Sequence, residues 1–563
     1  MRGSDWMQIL LFLVLLVALT PLLGGYMAKV FKGEKHLLSR ALGWLEALCY
    51  RAGGVDPEEG MDWWRYTKAL LWFNLLGAGA VYLFQVLQSH LPLNPQGLPA
   101  VGWDSAFNTA VSFMTNTNWQ GYTPETTMSY LTQMLALVTQ NFKSAATGIA
   151  VLVALARGLN GRQISLLGNF WADLVRTTVY VLLPLSFVLA IFLGSQGVVQ
   201  NFRAYDKTST LEGGSQLIAQ GPAASQEAIK ELGTNGGGFF NANSAHPFEN
   251  PTPLTNFTEI LALLILSSAL VWTFGLLVNQ RRHAIALWGA MFVLFAMGLG
   301  LALWAETSEN PVFHQAGVME GKEQRFGVAN SVLFAEATTV TSCGAVNTMH
   351  DSLSPLAGLV AMVNLLVGEV IFGGVGVGTY GMVVYVILTV FMAGLMVGRT
   401  PEYLGKKIDG KDVKLVVAAI LLPNVAVKVG TAVSCVLPNA LASLNNAGPH
   451  GFSELLYAFA SAAGNNGSAF AGLNANTVFF NTTLGLTMLI GRFAFIIPVM
   501  AIAGNMGAKK YSASSAGTFA TDNTLFAALL VSVILIVSVL AFFPALCLGP
   551  LVEHFLMLSG RTF

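Results

Sequence analysis

The sequence predicts an all-α membrane protein with about ten transmembrane helices and four repeats of a helix, a re-entrant loop and a second helix in a pseudo-fourfold arrangement. Composition is the first indication. Of the 563 residues, 54% are hydrophobic and only 10% are charged, whereas a soluble domain carries about 25% charged residues. The second is a series of ten apolar runs, and the third is a polar, glycine-rich stretch that recurs four times between them. A chain this apolar cannot cover a water-facing surface, so we expect the bilayer to be its main solvent.

The overall composition also argues against several other classes of protein. The formal net charge is zero, which argues against nucleic acid as a partner. The four cysteines have no paired spacing and predict neither a disulfide framework nor a zinc site. Because no small-residue cleavage site stands out after the first apolar run, we expect a retained helix rather than a signal peptide.

The apolar runs are long enough to cross a bilayer, which takes about 20 residues per helix. They cover residues 7–29, 68–89, 127–155, 177–198, 256–279, 284–304, 355–397, 413–435, 475–506 and 524–548. The run at 355–397 is too long for one straight crossing, and we expect the glycine-rich segment 373–381 to break it.

The basic residues indicate the orientation of these spans. Lys and Arg concentrate in alternate loops, and the loops between them carry few. Basic loops remain in the cytoplasm. Because this bias alternates across all ten spans, we expect both termini and the weakly charged loops to be extracytoplasmic.

Each outer loop between the second and ninth spans contains the same construction. A short amphipathic segment, too short to cross, precedes a polar stretch rich in Gly, Asn and Thr. The segments cover 104–114, 225–232, 327–337 and 452–460, and the stretches cover 115–121, 234–241, 341–347 and 464–470. A fixed architecture at near-constant spacing indicates an internal repeat. We therefore divide the chain into an extra N-terminal span and cytoplasmic loop (1–66), four helix–pore loop–helix repeats (67–160, 161–280, 281–400 and 401–510) and an extra C-terminal span (511–563).

The composition of the four polar stretches is typical of a monovalent cation site. Irregular backbone at membrane depth is tolerated where it lines a water-filled cavity, and a ring of carbonyl and hydroxyl oxygens can replace an ion's hydration shell. Gly allows carbonyls to point inward, and the C-terminal end of a half-helix adds partial negative charge. The stretches contain no Asp or Glu, whereas divalent sites usually include carboxylates.

The alternative interpretation is that these stretches are surface turns. Asn-Gly and Gly-Gly-Gly are common in turns, and for any single loop this explanation is the better one. Four such loops on one side, each after a short amphipathic helix, favour the ion site.

The polar stretches also carry a resemblance to a known family. The motifs are Thr-Asn-Thr-Asn-Trp-Gln at 115–120, Gln-Asn-Phe at 140–142, Ser-Ala-Ala-Thr-Gly at 144–148, Thr-Asn-Gly-Gly-Gly-Phe-Phe-Asn-Ala-Asn at 234–243, Thr-Ser-Cys-Gly-Ala-Val-Asn at 341–347 and Gly-Asn-Asn-Gly-Ser-Ala-Phe at 464–470. As a set they resemble the potassium-translocating A subunit of Kdp-type transport ATPases, within the superfamily of potassium transporters. The resemblance covers essentially the whole chain.

The resemblance implies a potassium-binding selectivity filter, with potassium as the transported ion and no organic cofactor. The implied filter residues are Asn116, Thr117, Thr234, Asn235, Ser342, Cys343, Gly344, Asn465, Asn466 and Gly467, with Gln120 and Gly236 adjacent to them. It also implies three partners in the bacterial inner membrane: an ATP-hydrolysing P-type pump subunit, a single-span subunit and a small single-span peptide. The ion path would run from the outer filter into a tunnel toward the pump subunit.

Three charged residues within the predicted spans need separate explanations. Arg492 is buried in the ninth span, where a charge is costly and usually functional; it would repel cations or tune occupancy below the filter, and the alternative is a structural ion pair. Glu369 would attract a cation to the tunnel mouth or cap a broken helix, and both readings remain open. Lys143 either snorkels toward the membrane surface or is a local departure from the family.

The glycine-rich segment resembles a potassium-channel filter in its letters alone. It follows no pore helix and lies within a span, so we interpret Gly374, Gly376 and Gly378 as an unwound helix that could gate the route below the filter. A closely packed helix break is the alternative. The segment 206–210 resembles the phosphorylation signature of P-type ATPases, but it lies in an outer loop and we treat it as a coincidence.

Two functions share such a filter, and a third is of another class. The chain is either the non-catalytic, ion-translocating subunit of a primary potassium pump or a stand-alone potassium channel or cation symporter. A membrane enzyme is the third possibility, but no triad, metal cluster or Walker A sequence supports it. The whole-chain resemblance, Arg492 and the break at 373–381 favour the pump subunit.

Overall fold

The computed structural model describes residues 2–160, 163–512 and 518–561. Its helices, in chain order, are α1 (Gly3–Lys32), α2 (Ser39–Gly53), α3 (Trp63–Leu87), α4 (Trp103–Met114), α5 (Pro124–Thr127), α6 (Thr139–Leu159), α7 (Phe170–Arg176), α8 (Leu183–Ser195), α9 (Ala223–Leu232), α10 (Pro253–Leu277), α11 (Arg281–Thr307), α12 (Gly327–Val340), α13 (Pro355–Leu366), α14 (Val377–Met396), α15 (Gly410–Ser434), α16 (Pro438–Leu441), α17 (Gly448–Ala463), α18 (Val478–Ala508), α19 (Thr524–Leu546) and α20 (Val552–Leu558). The π-helical stretches Thr132–Val138, Thr177–Leu182 and Cys547–Leu551 join onto α6, link α7 to α8 and link α19 to α20.

Short strands form three separate antiparallel hairpins in the loops. They are β1 (Asp206–Ser209) with β2 (Ser215–Ile218), β3 (Glu309–Asn310) with β4 (Gln315–Ala316), and β5 (Glu402–Tyr403) with β6 (Lys406–Lys407). The segment with a phosphorylation-like sequence therefore forms an exposed strand of the first hairpin.

The prediction of ten spans is confirmed within the described part of the chain, where ten helical segments are long and apolar enough to cross a membrane. They differ in burial. The most apolar windows of Thr132–Leu159 and Pro253–Leu277 are 83% and 78% buried, whereas those of Gly3–Lys32, Gly410–Ser434 and Thr524–Leu558 are each 28% buried. The first two therefore lie at the centre of the bundle, and the other three present apolar side chains to lipid.

The seventh span is broken, but earlier than the sequence suggests. The helix α13 ends at Leu366 and α14 begins at Val377. Only α14 is long enough to be a candidate span, and α13 is a shorter apolar helix. Gly378 lies inside α14 rather than in the break. A Cβ there would meet the Phe372 carbonyl oxygen at 1.5 Å, so only glycine allows this close return of the chain.

The four short amphipathic segments form helices that enter the bundle without crossing it. These are α4, α9, α12 and α17, with 12, 10, 14 and 16 residues. At about 1.5 Å per residue they are shorter than the roughly 30 Å hydrocarbon core. Most of their residues are buried, so each is a half-helix that ends inside the protein.

A charged histidine ties the fourth half-helix to the end of the chain. His450 Nε2 lies 2.9 Å from Asp351 Oδ1, and Nδ1 lies 2.7 Å from Glu553 Oε1. Burial opposes the charge, but the hydrogen bonds to the two carboxylates outweigh it and raise the pKa of His450 to about 10. The protonated ring therefore links α17 with the loop before α13 and with α20.

Candidate functional site

The four polar stretches begin with the same backbone turn. Each half-helix ends in a residue with ordinary helical φ and is followed by a non-glycine residue in the left-handed region. The φ values are +68° at Asn116, +48° at Thr234, +49° at Ser342 and +50° at Asn465. Such residues are uncommon outside functional or tightly constrained sites.

The same turn closes with the same hydrogen bond in all four places. The amide after each left-handed residue donates to the carbonyl five positions before it. These bonds are Thr117 N to Ser112 O at 2.9 Å, Asn235 N to Lys230 O at 2.9 Å, Cys343 N to Thr338 O at 3.0 Å, and Asn466 N to Ser461 O at 2.9 Å. Each stretch therefore leaves its half-helix in an equivalent direction, close to the partially negative end of that helix.

Side-chain amides hold the first stretch against the second. Asn116 Nδ2 donates to the Thr234 carbonyl at 2.9 Å, and Asn235 Nδ2 donates to Asn116 Oδ1 at 2.6 Å. Ser144 on α6 donates to the same Oδ1 at 2.7 Å. All four residues are buried, so this contact is a fixed, desolvated network.

Closely packed glycines contribute to the other three contacts between stretches. A Cβ on Gly236 would lie 2.0 Å from Gly344 N, one on Gly344 would lie 2.7 Å from Asn466 O, and one on Gly467 would lie 2.0 Å from Thr117 O. The second stretch thus contacts the third, the third contacts the fourth, and the fourth contacts the first. Together with the amide network, these contacts close a ring in the order one, two, three, four.

The structure brings all ten sequence-predicted filter residues into this ring. Nine of them are buried and Gly467 is half-buried. Gln120 is half-buried, and its Nε2 donates to the Tyr122 hydroxyl at 3.2 Å. The Cys343 carbonyl accepts a hydrogen bond from Thr338 Oγ1, so that oxygen is partly engaged by its own half-helix.

Asn243 is a bracing residue whose role the sequence does not show. Its Nδ2 donates to the Gly236 carbonyl at 2.8 Å, and its Oδ1 accepts from Val346 N at 3.2 Å. It therefore ties the second stretch to the third. Asn243 is the last residue of the motif at 234–243, but its contacts depend on how the loop folds back.

The break before α14 lies directly against the ring. Val375 N donates to Thr234 Oγ1 at 3.1 Å, and Gly373 N donates to the Val340 carbonyl, the last of α12, at 2.9 Å. A Cβ on Gly376 would meet the Gly148 carbonyl oxygen of α6 at 2.3 Å. The break is therefore closely packed between the ring and α6.

Arg492 on α18 and Glu369 within the break approach the same region. Arg492 Nη2 donates to the Ser144 carbonyl at 3.0 Å and is buried. No carboxylate among the described residues forms an ion pair with it, which disfavours the structural ion pair. Glu369 Oε2 accepts from Gly374 N at 3.0 Å, so Glu369 is hydrogen-bonded to the backbone of the break.

Glu369 also lines a small cavity of about 50 Å³. The other walls include Gly464 at the fourth turn, Gly491 next to Arg492, and Asn424 on α15. Glu369 therefore contacts both the break and this cavity. Lys143 is half-buried on α6 and lies outside these contacts.

Comparisons with known proteins agree over the whole chain. Residues 10–555 match the profile of the family described as potassium-transporting ATPase A subunit (KdpA). A potassium-transporting ATPase potassium-binding subunit of Rhodospirillum centenum is 57% identical over 100% of this chain and 99% of that protein. The protein of the same description from Solibacter usitatus is 55% identical over 100% of both chains.

A solved structure shares the fold at much lower sequence identity. The crystal structure of the potassium transporter TrkH from Vibrio parahaemolyticus aligns with a TM-score of 0.53 and 15% identity. The alignment covers 88% of this chain and 96% of the other. This similarity supports the architecture of the helices, independently of their sequence.

Proposed function

The chain belongs to the family of potassium-transporting ATPase A subunits, and we propose that it binds extracytoplasmic potassium in a selectivity filter as the ion-translocating subunit of an ATP-driven uptake pump. The observation that carries this proposal is the closed ring of four equivalent turns. This turn is by itself a common way for a helix to end, but scattered surface turns would have no reason to contact each other in cyclic order.

The chemistry of the ring suits a large, weakly hydrated cation. Its polar atoms are neutral carbonyl, amide and hydroxyl oxygens, and four half-helices direct their partially negative ends toward it. We infer that potassium is bound by oxygens of the ten ring residues, and that Gln120 lies at the entrance. The four repeats proposed from the sequence then each supply one quarter of the filter.

The ion path below the ring is proposed to turn sideways. Arg492 provides a fixed positive charge beneath the first stretch, which opposes direct passage toward the cytoplasm. Glu369 provides the only charged wall among the described residues of the small cavity beside it. The packed break with Gly374 and Gly376, together with Gly378 at the start of α14, would control passage between the ring and this cavity.

The membrane setting and the partners follow from the same proposal. The alternation of basic loops supports an inner-membrane orientation with both termini extracytoplasmic. Energy is supplied by a P-type subunit that hydrolyses ATP, and a single-span subunit and a small single-span peptide complete the assembly. The subunit itself carries potassium as substrate.

Purification of the tagged chain from its native membrane tests the proposal. We expect potassium-stimulated ATP hydrolysis to co-purify. We also expect Asn116→Asp to raise the potassium concentration for half-maximal stimulation at least tenfold, because a carboxylate replaces a neutral ligand and loses the bond to the Thr234 carbonyl. The control is Asn330→Asp. Asn330 lies near the start of the half-helix α12, at the end away from the ring, and its Nδ2 donates to Gln8 Oε1.

The outcomes separate the alternatives. Potassium conductance or uptake by the isolated chain, with no associated ATP hydrolysis, would favour the channel or symporter. An unchanged potassium dependence in Asn116→Asp would count against the filter.

A further inference from the structure

A cluster of ionisable side chains lies buried behind the second stretch. Glu227, Lys230 and Glu231 are on the half-helix α9, Glu249 follows the stretch, and Glu259 is on α10. All five are at most 1% exposed. Four carboxylates and one ammonium leave a formal excess of negative charge in a place that water does not reach. Buried charges of this kind need compensating partners.

Lys230 compensates only part of this excess. Its Nζ lies 2.7 Å from Glu227 Oε2, 2.9 Å from Glu249 Oε2 and 3.4 Å from Glu231 Oε1. Glu249 is fully satisfied, because its other oxygen accepts from Phe240 N at 2.7 Å. The uncompensated negative charge therefore lies on the other three carboxylates, Glu227, Glu231 and Glu259.

Glu259 has no partner among the described residues that accounts for its burial. Neither of its carboxylate oxygens accepts a hydrogen bond of ordinary geometry from the described residues, and one oxygen of Glu231 is also unpartnered. One oxygen from each of Glu227, Glu231 and Glu259 lies within 4.8 Å of the other two. An orphan carboxylate is thus directed at two others.

We propose that Glu227, Glu231 and Glu259 form a binding site for a divalent cation of the size of calcium, separate from the potassium path. Calcium–oxygen distances are about 2.3–2.6 Å, so one ion can reach oxygens that are up to about 5 Å apart. A divalent ion removes most of the charge excess at once. The potassium ring, by contrast, offers no carboxylate.

The site would also brace the filter. Lys230 Nζ donates to Asn243 Oδ1 at 2.9 Å and to Ser244 Oγ at 3.0 Å. Asn243 in turn holds the Gly236 carbonyl, which belongs to the second stretch. A cation that fixes the carboxylates around Lys230 therefore fixes the position of that stretch.

Calcium binding to the purified full-length chain tests this site. The chain is stripped with a chelator, equilibrated with radioactive calcium in excess potassium, and separated from free ion. We expect about one bound calcium per chain in the wild type and at least a tenfold weaker affinity in Glu259→Gln. The matched control is Glu336→Gln, because Glu336 is a buried carboxylate on another half-helix that pairs with Asn364 at 2.9 Å; it should bind calcium like the wild type.

Three results would overturn the inference: no calcium in the wild type, equal binding by Glu259→Gln, or displacement by potassium at the affinity of the filter. The first is the result expected if protons neutralise the carboxylates instead. Calcium should also raise the thermal unfolding midpoint of the wild type, a measurement that stays decisive if Glu259→Gln does not fold. Potassium-stimulated ATP hydrolysis is measured separately, so failure here leaves the proposed function untouched.

Discussion

Replacing Gly236 by alanine tests whether the ring geometry sets potassium affinity. The added Cβ would lie 2.0 Å from the nitrogen and 2.2 Å from the Cα of Gly344. Both are backbone atoms, so no flexible side chain can move out of the way. An ordinary contact between such atoms is about 3.5–4.0 Å, and the second and third stretches must therefore separate by about 1.5 Å.

The Gly236→Ala variant has two energetic costs, backbone strain at residue 236 and displacement of the ligand oxygens. Gly236 has a φ of +99°, a region in which a residue with a side chain pays about 1–3 kcal/mol. The separation of the stretches also moves ligand oxygens by more than ion coordination tolerates. Each 1.4 kcal/mol of lost binding lowers affinity about tenfold, and we expect the affinity for potassium to fall at least that much.

Competition between potassium and radioactive rubidium on the purified protein measures this effect. The control is Gly289→Ala on α11, where a Cβ meets nothing within 4 Å and alanine favours the helix by about 1 kcal/mol. We expect potassium binding of the control to match the wild type. An affinity of Gly236→Ala within twofold of wild type, in a folded protein, would refute the argument that this contact positions the ligands.

Three further predictions concern charged residues. Arg492→Ala loses the bond to the Ser144 carbonyl and the fixed charge, and we expect potassium transport to fall at least tenfold while rubidium binding persists; wild-type uptake would contradict the role. Glu369→Gln keeps an acceptor for Gly374 N but no charge, so we expect an unchanged unfolding midpoint with reduced transport, whereas Glu369→Ala should lower both. The charged His450 contributes stability that is fully present below its unfolded pKa of about 6.5. That stability is lost as the pH rises through the folded pKa of about 10. The wild-type midpoint should therefore fall more steeply than that of His450→Gln between pH 7 and 10; parallel profiles would argue against the charged link.

Local patterns were sufficient for the spans and half-helices because they depend on properties of neighbouring residues. Ten apolar runs predict ten crossings, and the short amphipathic segments predict α4, α9, α12 and α17 to within a few residues. The sequence patterns do not predict the helix α2 or the early end of α13. After α13 the chain doubles back, with positive φ at Gly368, Phe372 and Gly373, although the apolar sequence there is typical of a continuous helix.

The sequence by itself determined that the chain is a membrane protein and that neutral, glycine-rich stretches recur in four equivalent places, since hydropathy and composition are local quantities. Only the tertiary structure decided the cyclic order of contacts through Gly236, Gly344 and Gly467, and the burial of Lys230 among carboxylates. The physical reason is distance along the chain. The stretches that meet through the three glycines come from separate repeats and touch only when the half-helices pack into one bundle, and Glu249 and Glu259 reach Lys230 only after the chain folds back on α9.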